Sequence, residues 1–564
     1  MLGTDIAKNI EKLLLAACRE YFHDNIPGGT FPEGVDVSLQ VTREAKHGDL
    51  TSNVAMRLAS IGKVSPAVLG GGLIEILKKR IIGTSLERFI LRIELAGGFL
   101  NFTLVEDYYH GLLRSIRKEG RHFGRSVRGK GKKVNLEFVS ANPTGPLTVA
   151  HGRQAAIGDA LARILRYNGF DVTCEYYLND MGRQINLLGE SVRVRYLNLL
   201  GGSDAMPEDG YIGAYITDIA RDISGRKGKT LKKDTPRNRA FFRKYAVDHM
   251  MGLIRDDLKD FGVRFGTWTA QSGIEKKGRV EKTLGILEKK GYIYDQDGAK
   301  WFASTRLGDD KDRVVMKSDG SYTYLAPDIA YHLDKYSRGY GMLIDILGPD
   351  HHGYIGRMKA AVQALGYDKK DLNILIVQLV TLLRGGETVS MSTRKGEFIS
   401  LRELIDELGR DVTRFFFLSR RLDSHLDFDI DLAKEGSSEN PVFYMQYAHA
   451  RICSIKKFSR REWKWRLFGK TDLSLLTGKE EKSLMRKLSE FPFVVIAGAE
   501  ALEPNKVITY LNELSRSFHS FYTECRVVTE DRALSSARLY LVECVRIALA
   551  NGLNLLNITL PEKM

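Results

Sequence analysis

Residues 132–183, KKVNLEFVSANPTGPLTVAHGRQAAIGDALARILRYNGFDVTCEYYLNDMGR, constrain the fold more than any other stretch of the chain. A strand-like run, Val134 to Val139, leads into a loop carrying Pro143, Gly145 and Pro146. Ala155, Ile157, Ala160, Leu161, Ile164 and Leu165 then follow the period of an amphipathic helix, which Gly169 closes before a second β-rich run, Val172 to Leu178. Strand, helix and strand make a βαβ unit, and such units imply a right-handed crossover in a parallel sheet. His151 and Gly152 fall where the helix begins. A helix start offers unpaired N–H groups and a positive dipole end to a phosphate, and Gly152 is expected to let a nucleotide approach. Glu137, Ser140 and Asn142 gather at the carboxyl end of the first strand, the edge at which open α/β sheets bind ligands. The turn therefore predicts a site joining phosphate-binding groups to a carboxylate.

The rest of the chain is read around this unit. At 564 residues it is long enough for roughly three or four domains. Residues 1–112 read as an N-terminal α+β module whose first helix is amphipathic, because Asp5, Glu11, Lys12, Arg19 and Glu20 interrupt its apolar positions. Residues 113–133, basic and glycine-rich, read as a solvated linker. Over 134–399 a largely helical insertion at about 185–290, with a basic segment at 225–239, separates two halves of strand and helix. The sheet is expected to resume with AKWFAS and RVVMKSDGSYTY, with Asp319 and Gly320 as hairpin chemistry. A helix beginning near Ala326 carries Asp328 and His332 one turn apart, MLIDIL follows as an apolar strand, and LNILIVQLVTLL reads as another. Two such halves about an insertion predict an α/β fold with a doubly wound parallel sheet. Ser400 and Glu403 form a capping box opening a helical connector over 400–439, and 440–564 reads as a C-terminal all-helical bundle.

Composition narrows the function classes. Eighty-five Lys and Arg against 70 Asp and Glu give a formal charge of +15, which favours a polyanionic partner and equally serves solubility. Five cysteines, at 18, 174, 453, 525 and 544, form no CxxC pair, so neither a zinc knuckle nor a disulfide framework is indicated and a reducing compartment is expected. No run of about eighteen apolar residues suggests a membrane span. Asp350, His351 and His352 make no complete metal set on one short turn, so no structural metal is expected. The absence of GxGxxG after the first strand excludes a dinucleotide oxidoreductase.

The string SANPTGPLTVAHGR resembles the first signature of the class I aminoacyl-tRNA synthetases, in the form carried by arginyl-tRNA synthetases. YLAPDIAYH at 324–332, LGPDHHGY at 347–354, VSMSTRKGEFISL at 389–401, NPVFYMQYAHARICSI at 440–455 and the ending LNLLNITLPEKM resemble that family in its order. The resemblance implies a Rossmann-type catalytic domain, and a cytoplasmic, monomeric ligase with L-arginine, ATP and tRNA(Arg) as partners and no membrane. Mg2+ is expected as the counterion of ATP. It implies that His151, Gly152, Thr148, Arg394 and Lys395 serve catalysis, and that Pro143, Gly145, His352, Met391 and Ser392 join His151, Gly152 and Lys395 around ATP. Glu137, Ser140, Asn142, Tyr324, Asp328 and His352 would hold arginine, with Asp328 and Glu137 on its side chain. Tyr444, Tyr447, Arg451 and Met564 would contact tRNA, though helical spacing fits Tyr444 and Tyr447 equally well to a bundle core. The N-terminal module, which packs against the tRNA elbow in that family, reads nearly as well as an accessory folding module. Two departures leave open a catalytically impaired tRNA-binding paralogue: Thr148 replaces the first signature histidine, and Thr393 the second lysine of the "KMSKS" motif.

Overall fold

Five parallel strands form the central sheet: β1 (Lys133–Glu137), β2 (Asp171–Leu178), β3 (Thr267–Ala270), β4 (Met342–Leu347) and β5 (Leu372–Ile376), in the order β5-β4-β1-β2-β3. They belong to a computed structural model that describes residues 2–26, 31–32, 34–42, 44–389, 399–435, 440–463 and 471–564. The order reverses between β1 and β4, so the crevice of this α/β fold opens at their carboxyl ends. Helix α1 (Val149–Tyr167) returns from β1 to β2 along one face. It lies so close that a Cβ on Gly158 would come within 2.3 Å of the Phe138 ring. Alternation along the strand then sends Glu137 to the opposite face.

Helices α2 (Arg183–Leu199), α3 (Ala214–Lys227) and α4 (Pro236–Asp260) fill the span between β2 and β3. The runs AKWFAS and RVVM do not rejoin the central sheet. Ala299–Phe302 pairs antiparallel with Ile293–Gln296 on one side and with Arg313–Met316 on the other, in a separate three-stranded sheet. The chain returns through α5 (Leu325–Ser337), which lies on the Glu137 face, and α6 (Tyr354–Leu365).

LNILIVQLVTLL is two strands rather than one. β5 ends at Ile376, and β6 (Val380–Arg384) pairs in parallel with β7 (Leu426–Asp429) in another sheet. The break has a cause in α1. Arg153, fully buried, donates to the carbonyls of Gln378 (2.8 Å), Leu379 (3.4 Å), Arg421 (2.9 Å) and Ser424 (2.9 Å), so at the break Gln378 O serves a guanidinium, while Leu379 O is shared between it and Leu426 N (3.2 Å) of the second sheet.

The basic stretch over 113–133 is likewise not a solvated linker. Helix Glu106–Glu119 runs into it, Ile116 and Phe123 are buried, and Phe123 stacks on Phe491 with centroids 5.7 Å apart. Most of its arginines and lysines lie outward while Leu113, Ile116 and Phe123 between them pack inward. Ahead of it, residues 2–104 form a four-stranded antiparallel sheet under helices Leu2–Asn25, Val54–Gly62 and Pro66–Ile81, with a core of its own.

The capping box forms: Ser400 N donates to Glu403 Oε2 (2.7 Å) and Glu403 N to Ser400 Oγ (3.1 Å). It opens α7 (Leu401–Leu408), followed by α8 (Arg410–Leu418), α9 (Pro441–Trp463), α10 (Lys479–Glu500), α11 (Asn505–Glu524) and α12 (Arg532–Leu556). α12 is long and apolar enough to cross a membrane, yet 72% of that window is buried, and it forms the centre of the bundle. Arg414, on α8, ties these parts together. It reaches Asp159 of α1 (2.7 Å), Leu556 O (3.1 Å) and Phe261 O (3.1 Å) without solvent exposure. Replacing Arg414 with Met removes the buried cation from Asp159 and leaves it only the partly exposed Arg163 and the Asn557 amide. Chemical unfolding should show a loss of about 3–5 kcal/mol, and a loss under about 1 kcal/mol would contradict this account.

Candidate active site

At the carboxyl edge of the sheet, register sets three carboxylates side by side: Asp345 of β4 opposite Glu137 of β1, and Glu137 opposite Glu175 of β2. All three are buried. Helix α5 supplies the cations. Lys335 Nζ donates to Glu137 Oε2 (2.6 Å) and Asp345 Oδ1 (2.7 Å), Arg338 Nη1 reaches Glu175 Oε2 (2.8 Å), and His332 Nε2 lies 2.8 Å from Asp345 Oδ2. Burial opposes ionisation of Asp345 and Glu175, but Lys335, Arg338 and His332 outweigh it and hold both below the usual carboxylate range. One turn above His332 stands Asp328. Among the described residues no ion pair forms with it, and burial, reinforced by Glu137, raises its carboxyl from 3.8 to about 7.

The chain leaves β1 through strained backbone. Val139 and Ser140 both have positive φ, +68° and +39°, which is why the strand stops short of Val139. Ser140 Oγ donates to Glu137 Oε1 (3.0 Å) and accepts from Tyr177 N (3.0 Å), fixing the bend. Beyond it opens a cavity of about 580 Å³ whose walls include Asn142, Gly145, Thr148, His151, Tyr215 and Asp350. His151 Nδ1 accepts from Thr148 N (3.2 Å), which leaves Nε2 as the proton-bearing atom. Burial, against the pull of Asp350, lowers the imidazole to about 4, so His151 is a neutral donor at neutral pH. An antiparallel bridge joins Thr148 to Ser400, and Leu401 N donates to Leu147 O (2.8 Å). The chain after residue 398 is thus anchored against the start of α1.

Family models match almost the whole chain: "Arginyl tRNA synthetase N terminal domain" over 4–104, "tRNA synthetases class I (R), catalytic domain" over 113–415, and "DALR anticodon binding domain" over 445–564. The arginine–tRNA ligase of Syntrophotalea carbinolica is 46% identical over 554 residues, covering 98% of both chains. The chain belongs to the arginyl-tRNA synthetase family. A Listeria monocytogenes arginine–tRNA ligase is 45% identical, covering 94% of both chains. The Thermus thermophilus arginyl-tRNA synthetase superposes with a TM-score of 0.77 at 22% identity, covering 99% of this chain and 100% of its own. A Campylobacter jejuni structure titled a putative arginyl-tRNA synthetase gives 0.75 at 35% identity, covering 82% of this chain and 100% of its own.

In this synthetase Glu137, Ser140 and Asp328 lie together around the carboxylate row, while Asn142, Gly145, Thr148 and His151 face the neighbouring cavity. Pro143 is buried between those wall residues. Gly152 has a different reason from the one read in sequence. A Cβ there would meet Leu401 (2.7 Å) and Phe417 (2.9 Å), so the glycine admits α7 and α8 against α1 rather than a nucleotide. His352 is exposed and lines no wall of the cavity; its neighbour Asp350 does. Tyr324 is 72% exposed. Met391, Ser392, Thr393, Arg394 and Lys395 lie outside the described residues. Sequence reading missed Tyr215, whose hydroxyl donates to Thr144 O (2.9 Å), and Lys335. The signal for Lys335 was present: Asp328, His332 and Lys335 share one helix face otherwise bordered by apolar residues.

In the bundle, Tyr444 and Tyr447 both contact the ring of His519, at 4.4 and 5.8 Å, and the Arg451 guanidinium lies over Tyr447 and Tyr522. Met564 is exposed at the chain end, beyond a tail held by His449 Nδ1 on Pro561 O (3.0 Å).

Asp328 sets a pH dependence. Between about pH 4 and 7 the folded chain holds a proton that the unfolded chain has lost, so this group's contribution to stability falls as pH rises through that window. Asp328→Asn should therefore raise the melting temperature of the ligand-free protein at pH 8 relative to the parent, with the gain vanishing near pH 4. An equal difference at both pH values would contradict the assignment.

Proposed function

We infer that this synthetase activates arginine with ATP, carried as its magnesium complex, and transfers the arginyl group to the 3′-terminal adenosine of tRNA(Arg). The observation that carries the reading is Asp328, a half-buried carboxyl that forms no ion pair among the described residues, together with a cavity that opens at a helix start. A guanidinium is the cation a planar carboxylate matches in bidentate fashion. Its arrival ionises Asp328 and supplies the missing charge, while Glu137 takes a second edge of the fork. Ser140 and Asn142 stand where the α-amino group would lie.

The carboxylate of arginine then attacks the α-phosphorus of ATP as the bond to pyrophosphate breaks. The protein's task is to align the groups and stabilise the spreading negative charge. His151 does so as a neutral Nε2–H donor, with the first amides of α1 adding their dipole. Thr148 fixes the imidazole through its own N–H instead of donating a charge. Lys395, with Arg394 and Ser392 close in sequence, neutralises the leaving phosphates. The impaired-paralogue reading is not favoured: the substituted Thr148 retains a defined part in the turn, and the curated relatives match along nearly the entire chain. Tyr444, Tyr447 and Arg451 offer stacking planes to unpaired anticodon bases, Met564 lies near that end of the bundle, and the N-terminal module takes the tRNA elbow. The synthetase acts as a monomer, and a reducing cytoplasm fits the five free cysteines, four of them buried.

Arginine-dependent ATP–pyrophosphate exchange, measured with and without tRNA(Arg), tests the reading. Exchange specific to arginine is expected, and exchange with lysine at equal efficiency would refute the pocket. Its rate should show no titration of His151 near pH 6.5, and His151→Ala should lower kcat about 10²- to 10³-fold. Tyr447→Ala should weaken tRNA binding by about 1–3 kcal/mol while leaving tRNA-independent steps untouched; unchanged binding would return Tyr447 to the bundle core.

A further inference from the structure

Lys335 touches neither the cavity wall nor Asp328. Its side chain is fully buried, and an ammonium is costly to bury unless its partners replace its hydration. Glu137 from β1 and Asp345 from β4 bind it directly, and Glu175 from β2 adds its charge at longer range. From its own helix, His332 bonds the far oxygen of Asp345, and the Tyr331 ring face lies 4.5 Å from Nζ while its hydroxyl donates to Glu175 (3.0 Å). Arg338 serves Glu175, and Asp328 and Tyr354 of α6 close the surroundings. Burial opposes the charge of Lys335, but Asp345 and Glu137 prevail and hold it above the ordinary lysine range. Lys335 occupies Glu137 Oε2, and the Ser140 hydroxyl steadies Oε1.

We propose that Lys335 is a positioning residue for arginine selection: bonded to Glu137 and Asp345 at once, it balances the charge of the three-carboxylate row and fixes Glu137, so that the substrate guanidinium meets a carboxylate already in place. This rests on the assignment of Glu137 to the arginine side chain. Without Lys335, Asp345, Glu137 and Glu175 stand in register with one fewer cation among them. Like charges so placed cannot all ionise, and the row takes up a proton at neutral pH. Glu137 then faces arginine as part of a partly neutral set, and selection for the guanidinium weakens. The ATP cavity, lined by other residues, is untouched.

The test is the KM for arginine and for ATP in the full-length protein with tRNA, from about pH 6 to 9. The proteins compared are the parent, Glu137→Gln, Lys335→Met, Lys335→Arg and the pair Lys335→Met with Asp345→Asn. At pH 7, Glu137→Gln and Lys335→Met should each raise the arginine KM on the order of 10- to 100-fold with the ATP KM within about twofold. The Lys335→Met defect should shrink toward pH 9, where the row loses its proton, whereas that of Glu137→Gln should not. Lys335→Arg should stay near parental. The double variant restores the charge balance of the row and should recover most of the arginine KM at every pH, a comparison that holds even if Lys335→Met alone does not fold. A folded double variant with the full defect overturns the proposal, as does a parental arginine KM in Lys335→Met beside an impaired Glu137→Gln. Those results leave the arginine pocket standing. A parental KM in Glu137→Gln removes the pocket assignment of Glu137 and the proposal with it.

Discussion

Three acids aligned across neighbouring strands are a burden that the fold must meet before it can do anything else. Parallel neighbours lie about 5 Å apart, and at an effective dielectric near 20 each adjacent pair of charges repels by about 3 kcal/mol. Two such repulsions approach the whole net stability of an ordinary domain. Lys335, Arg338 and His332 offset them from a single helix, so α5 has little freedom to slide or rotate on the sheet. The same helix carries Asp328 two turns above Lys335. The location of Asp328, the carboxyl without an ion pair among the described residues, therefore follows from the demand to neutralise the acid row.

The turn after β1 meets a second constraint by other means. Two consecutive non-glycine residues with positive φ cost on the order of 1–3 kcal/mol each. Ser140 N on Phe138 O, the Ser140 hydroxyl between Glu137 and Tyr177, and the Tyr176 hydroxyl on Ala141 O hold them there. The bend ends the strand and turns Asn142 to the cavity, on the same side as the start of α1. Strain and charge compensation thus converge on one carboxylate, Glu137, which belongs to both networks.

Local signals in the sequence carried the βαβ unit, the capping box at Ser400 and Glu403, and the helix bearing Asp328 and His332, because each depends on spacing within one or two turns. What escaped depends on partners far away in the chain. Nothing in LNILIVQLVTLL announces a break, since its cause is Arg153 more than two hundred residues earlier. The packing role of Gly152 needs Leu401 and Phe417, and the burial of Ile116 and Phe123 needs the bundle. Lys335 went unremarked because its partners, Glu137 and Asp345, lie on two different strands. The separate sheet over 293–316 escaped because short antiparallel strands announce themselves without naming the sheet they join.

Asp159, on the first helix of the site, reaches its buried charge partner only through Arg414, and it accepts a further hydrogen bond from Asn557 Nδ2 (3.1 Å). A ribosome makes the chain from the other end. While Asp159 emerges, both partners are still unwritten, and the carboxylate has only water and the neighbouring Arg163 to satisfy it. Helix α1 thus remains incompletely packed until the segments carrying Arg414 and Asn557 have been synthesised. A prematurely terminated chain that already holds every residue of the cavity would leave the exit tunnel without a settled site.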